Sequence, residues 1–279
     1  MFALISPSLG SKGEDSAVSA STPEDPFDIT KPSVPRMYDY ALGGKDNFQA
    51  DREAVDAIVR EAPEAMRHAV DNREFLRRAV QYVVTQGVTQ FIDIGCGLPT
   101  AENTHQIAQH GNPLAKVAYI DNDHITVAHA RALLATNTGT VALEGDLGEP
   151  EGILASPEIA SLIDFSQPVA VIMVAVAHFL ADPVAYEVVK YIREAIPSGS
   201  FLVIAHGTAD DATEDEIETI KSTYRAARSP ITMRSRDGVK QFFDGLDLVP
   251  PGVVNINSWR NPASATGRTL SYGGVARKS

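Results

Sequence analysis

Residues 169–176 read Val-Ala-Val-Ile-Met-Val-Ala-Val, with no polar residue to interrupt them. The run is far too short to span a bilayer, and its β-branched content suits a strand covered on both faces. A strand of that kind needs helices above and below its sheet, so the chain is expected to be a layered α/β protein.

The surrounding sequence fits that expectation. Strand-like segments at 90–94, 116–120, 140–143 and 201–205 alternate with helix-period segments at 102–109, 124–136, 185–195 and 214–227. Residues 150–163 also read as helix, broken near Pro157. A short helix is expected at 239–245, and candidate strands at 253–255 and 269–276 suggest an antiparallel hairpin around Trp259. The sum is a doubly wound, mostly parallel, seven-stranded sheet. Upstream lie two expected helices, 49–60 and 64–86; the second carries Phe75, Leu76, Ala79, Val80, Val83 and Val84 on one stripe. The chain therefore divides into a mobile polar tail over 1–33, a helical cap or lid over 34–88, and a ligand-binding domain over 89–279.

Charge narrows the partners. Twenty-four basic residues against 36 acidic ones give a net charge of −12, which disfavours nucleic acid. Arg73, Arg77 and Arg78 are the nearest thing to a basic cluster. A single cysteine, Cys96, rules out an internal disulfide, and no metal site is expected. Without a signal-like N-terminus or a membrane-length apolar run, the expected location is the cytoplasm.

The first strand ends in Phe91-Ile92-Asp93-Ile94-Gly95-Cys96-Gly97-Leu98-Pro99-Thr100. A dinucleotide fingerprint would place a third glycine where Thr100 stands, and no Gly-Lys-Ser/Thr follows to make a phosphate loop. What is left is a turn whose glycines bring backbone close to a ligand. Asp121 and Asn122 stand at the tip of the second strand, where a carboxylate can accept both hydrogen bonds of a ribose diol. Asp146 and Leu147 follow the third strand, where a carboxylate can accept from the exocyclic amine of adenine. Each acid also has a plainer role: Asp93 can cap nearby N–H groups, Asp121 or Asp123 can cap the helix that follows, and Asp146 can sit in an ordinary turn.

These three strand ends form the constellation of a class I S-adenosyl-L-methionine site. The stretch Arg36-Met37-Tyr38-Asp39-Tyr40-Ala41-Leu42-Gly43-Gly44-Lys45-Asp46-Asn47-Phe48, with Asp51-Arg52 behind it, resembles the opening signature of an actinobacterial S-adenosyl-L-methionine-dependent methyltransferase family formerly classed as a domain of unknown function. DIGCGLPTAENTHQIA, VAYIDNDHITVAHARALL and TLSYGGVARK are similar to it as well, so the likeness covers roughly 33–279. It implies a Rossmann-like fold and S-adenosyl-L-methionine as cofactor, with no acceptor named. Cys96 departs from the Thr or Ser expected at its position.

The signature segment is expected to fold over the pocket, with Tyr38, Gly43, Gly44 or Asn47 near the methionine end. Asp93, Gly95, Cys96, Gly97, Asp121, Asn122, Asp146 and Leu147 complete the expected cofactor contacts. His178, at the end of the fourth strand, is read as a general base or acceptor-positioning group, against the plainer reading of a satisfied core histidine. The Asn/Asp-Pro-Pro-Tyr/Phe pattern that holds a base amine is absent after that strand, so a small-molecule acceptor is expected. A non-catalytic S-adenosylmethionine-binding protein and an NAD-dependent oxidoreductase are the alternatives.

Overall fold

The computed structural model of the chain describes residues 28–100, 102–262 and 267–279. Most of the expected tail, residues 1–27, lies outside the described residues. In chain order the elements are α1 (Val34–Ala41), α2 (Gln49–Glu61), α3 (Ala65–Thr85), β1 (Gln90–Ile94), α4 (Thr104–Gly111), β2 (Lys116–Asp121), α5 (His124–Leu133) and β3 (Thr140–Glu144). There follow α6 (Pro150–Leu154), α7 (Pro157–Leu162), β4 (Ala170–Val174), α8 (Val184–Ala195), β5 (Phe201–Gly207), α9 (Glu214–Ala226), α10 (Arg236–Gln241), β6 (Asp247–Leu248), β7 (Val254–Asn255) and β8 (Ser271–Arg277).

The sheet runs β3-β2-β1-β4-β5-β8-β6, with β7 pairing β8 to one side. Strands β1 to β5 are parallel, and β8 is antiparallel to β5, β6 and β7. The chain order reverses between β1 and β4, so a crevice opens beyond their carboxyl ends. The expected terminal hairpin forms from β7 and β8, and the two-residue β6 raises the strand count to eight among the described residues.

Side chains of β1 alternate between two apolar clusters, as the period of a strand requires. Ile92 and Ile94 join α7 and α8 on one face, and Phe91 joins α3 and α4 on the other. Every residue of β1 and β5 is buried, including the polar Gln90, Asp93 and His206. Fully buried Trp259 packs edge-on against Phe75, with ring centroids 5.5 Å apart. Arg78 donates to the carbonyls of Trp259 and Ile256, which ties the hairpin to α3.

The 34–88 segment behaves as two parts. The apolar stripe of α3 lies in the core of the sheet. By contrast, α1 and α2 form a separate small cluster, in which Met37, Val55 and Ile58 meet Tyr224 and Ala227 at the end of α9. A buried ion pair stiffens this cap: Arg36 Nε donates to Asp51 Oδ2 at 2.8 Å. Asp51 also accepts from the N–H groups of Ser33 and Phe48, both at 2.8 Å.

Candidate functional site

A cavity of about 470 Å³ lies beyond the carboxyl ends of β1, β2, β3 and β4, roofed by the start of α1. Of the expected residues it is lined by Tyr38, Asp93, Gly95, Cys96, Gly97, Asp121, Asn122, Asp146 and Leu147. Gly95 and Gly97 both take left-handed backbone, with φ of +73° and +66°. A Cβ on Gly95 would come within 2.4 Å of Val176 Cγ2, whereas one on Gly97 would meet nothing. The first glycine is therefore needed for space as well as conformation, and the second leaves its side open.

Asp121 is the electrostatic centre of the cavity. Its Oδ2 accepts from Gly97 N–H at 2.9 Å and its Oδ1 from Asp123 N–H at 3.0 Å. Burial pushes its carboxyl up to about 6, against the pull of those two N–H groups. Capping of α5 falls to Asp123, whose Oδ1 accepts from Thr126 N–H at 2.7 Å. Asp121 thus keeps spare lone pairs on both oxygens. Asp146 is exposed and accepts from Gly148 N–H at 2.8 Å.

Asp93 Oδ2 accepts from the hydroxyl of Thr104, the first residue of α4, at 2.6 Å. Burial raises its carboxyl, while Thr104 and the charge of Arg73 oppose the rise. Burial and the neighbouring acids hold the Cys96 thiol protonated. Arg73, from α3, was visible in the sequence only as part of a loose basic cluster, yet it lines the cavity. The available signal was its place on the inner face of a helix, between buried Ala69 and Leu76.

Gly43, Gly44 and Asn47 are not brought to this cavity. They form the turn between α1 and α2, built around Asp39. Asn47 Nδ2 and Asp46 N–H both donate to Asp39 Oδ2 at 2.8 Å, and a Cβ on Gly44 would overlap the Asp39 carboxylate. The polar density of that segment is used within the cap.

His178 also lies outside the larger cavity. It lines a second, mostly apolar cavity of about 140 Å³ between α1, α2, α3 and α9. Val34, Tyr38, Ala175 and Phe179 border both cavities. Ala175 holds a φ of +59° there, in a region non-glycine residues rarely adopt. Burial holds the His178 imidazole neutral. Its Nδ1 accepts from Gly207 N–H at 3.4 Å, so the ring proton sits on Nε2.

The start of α4 is closed. Asn103 and Gln106 form a capping box, with Asn103 N–H donating to Gln106 Oε1 at 2.8 Å. Thr100 N–H donates to Asn103 Oδ1 at 3.0 Å. Within the helix, His105 N–H donates to the Tyr119 hydroxyl of β2 at 2.7 Å and Gln106 N–H to the Asn103 carbonyl at 2.9 Å, so neither is free for a pyrophosphate.

Comparison with known proteins identifies the family. Residues 20–279 match the sequence profile of a family described as S-adenosyl methyltransferase. A DUF574 family protein from Streptomyces avermitilis MA-4680 is 39% identical, with 90% of this chain and 99% of that one aligned at a TM-score of 0.85. A candidate methyltransferase from Thermobifida fusca YX is 35% identical over 90% of this chain and 97% of its own, also at 0.85. No curated protein matches.

Proposed function

The chain belongs to the S-adenosyl methyltransferase family, and from that premise we propose that the larger cavity holds S-adenosyl-L-methionine across the Gly95–Gly97 turn. The protein is an S-adenosyl-L-methionine-dependent methyltransferase. The observation that carries the reading of the site is Asp121, a buried carboxylate with free acceptor capacity on each oxygen. A ribose diol offers two donors to those lone pairs.

The residues fit the cofactor at both ends. Asp146 accepts from the adenine amine, with Leu147 and Asn122 beside the ring. Arg73 faces the methionyl carboxylate, and Asp93 answers the ammonium, directly or through water. When bound, the cofactor supplies an electrophilic methyl carbon on a positively charged sulfur. Tyr38 and the start of α1 exclude water from that end and orient the nucleophile in line. The hydroxyl of Tyr38 donates to the Ala69 carbonyl at 3.1 Å, which fixes the ring against α3.

The start of α4 speaks against the oxidoreductase alternative, because its His105 and Gln106 N–H groups are already engaged and do not await a pyrophosphate. We take the acceptor to be a small molecule, since the space beyond the cofactor is roofed by α1 and α2. Among the described residues no helix is long and apolar enough to cross a membrane. Calorimetric titration with S-adenosylhomocysteine and with NAD tests the assignment. Saturable binding of S-adenosylhomocysteine with weak or absent NAD binding is expected, and the reverse order would overturn it.

A further inference from the structure

The smaller cavity has features that an incidental packing defect lacks. Asn72, 1% exposed, lines it, and its Oδ1 has no hydrogen-bond partner. An unpaired buried carbonyl oxygen is costly, so a donor is expected to meet it. His178, 6% exposed, lines the same space with its Nε2 proton available. One acceptor and one donor thus belong to residues that line a cavity whose other walls are mainly apolar.

Charge is balanced within the lining. Its charged side chains among the described residues are Glu216 and Arg268. Arg268 donates to both Glu216 oxygens, through Nη1 to Oε1 at 2.6 Å and through Nη2 to Oε2, and holds that carboxyl well below the usual range. Burial also lowers His68 to about 4, so both histidines are neutral near pH 7. An ionised ligand would find no free counter-charge in the lining and would lose its hydration. The wall beside the larger cavity carries Phe179, Tyr38 and Tyr224, whose ring edges and faces suit a flat ligand. At about 140 Å³ the space is close to the ~150 Å³ that accommodates benzene in an apolar cavity.

We propose that this cavity binds the methyl acceptor, and that the acceptor is a neutral molecule built on a single aromatic ring. The assignment rests on the methyltransferase reading above. The ring lies between the cap and α3, its polar substituent meets Asn72 Oδ1 and His178 Nε2–H, and its nucleophile reaches the neck at Ala175 and Tyr38. His178 is here an acceptor-positioning group, because its lone pair at Nδ1 is already engaged by Gly207.

The test is calorimetric titration of the whole chain, saturated with S-adenosylhomocysteine, with phenol and benzoate as probes. Phenol is expected to bind at least tenfold more tightly than benzoate, which carries a charge on the same ring. Ala69→Phe, which fills the cavity from α3, should weaken phenol at least tenfold and leave S-adenosylhomocysteine affinity within twofold. If that variant does not fold, Ile231→Phe fills the cavity from the loop after α9 and carries the same expectation. Benzoate binding as tightly as phenol, or phenol affinity unmoved by cavity filling, would overturn the proposal. A chain that binds S-adenosylhomocysteine but no phenol overturns this inference alone. A chain that binds no S-adenosylhomocysteine overturns the cofactor assignment as well.

Discussion

The cap signature at 36–48 and the glycine loop at 93–97 are both dense motifs, and their polar groups turn in opposite directions. In the cap they turn inward: Asp39 collects Asp46 N–H and Asn47 Nδ2, and Asp51 collects Arg36 and two backbone N–H groups. In the loop they turn outward, leaving Gly97 open beside a carboxylate with lone pairs to spare. An acid closed within a turn is a structural part, and one with lone pairs left at a cavity wall awaits a ligand. Neither motif density nor a count of partners separates the two cases, since Asp39 and Asp121 each accept two hydrogen bonds; the cavity that Asp121 lines and Asp39 does not is what separates them.

The sharpest way to break this contrast is Asp51→Ala. It leaves the Arg36 guanidinium buried without its partner, so stability should fall by about 3–5 kcal/mol, read from the denaturant midpoint. A midpoint equal to that of the unsubstituted chain would mean that the cap is not held as described. Asp121→Ala should do the opposite. Losing two hydrogen bonds to a charged acceptor, at about 1.5 kcal/mol each, weakens S-adenosylhomocysteine roughly 100-fold. The denaturant midpoint should move less than in Asp51→Ala, and calorimetry beside unfolding curves compares the two.

The smallest effect is in pH. With its carboxyl at about 6, Asp121 is ionised at pH 7 and mostly protonated at pH 5. Binding of two hydroxyl donors favours the ionised form, so affinity should be level above pH 7 and fall about tenfold between pH 7 and pH 5, near 1.4 kcal/mol. Asp121→Ala should flatten that profile. A persistent slope in the variant would assign the titration to another group.

The sheet was legible because its strands carry their environment in their composition. The run at 169–176 is apolar because both faces of β4 are covered, and the loop after β1 needs glycine for reasons local to itself. Helix α1 was not anticipated, because its eight residues are few for a periodicity and its entry signal is one proline at the first turn. Strand β6 escaped for the same reason, having only two residues. The expected short helix at 239–245 forms earlier, as α10, where Ser235 accepts from Gly238 N–H and caps it. Gly43, Gly44 and Asn47 were drawn toward the cofactor because their partner, Asp39, is fixed only once the turn closes. The second cavity is tertiary in origin: its polar pair comes from α3 and from the 3-10 turn Ala177–Phe179, which holds His178 beyond the end of β4 and not on the strand as expected, more than 100 positions away, and no spacing rule links Asn72 to His178.

The overlap between a side chain at position 95 and Val176 has a consequence for how this loop can vary. Two independent locks hold glycine there, one conformational in the loop after β1 and one steric from the segment after β4. Trimming Val176 to alanine leaves even the steric lock shut, since the Cβ at 176 would itself lie 2.6 Å from the added atom; only glycine at 176 opens it, and φ at +73° would still cost a side chain about 1–2 kcal/mol. Any single step away from glycine meets both barriers together. A path through glycine at position 176 meets them one at a time, so the tolerance of this loop to change is recorded in the segment after β4.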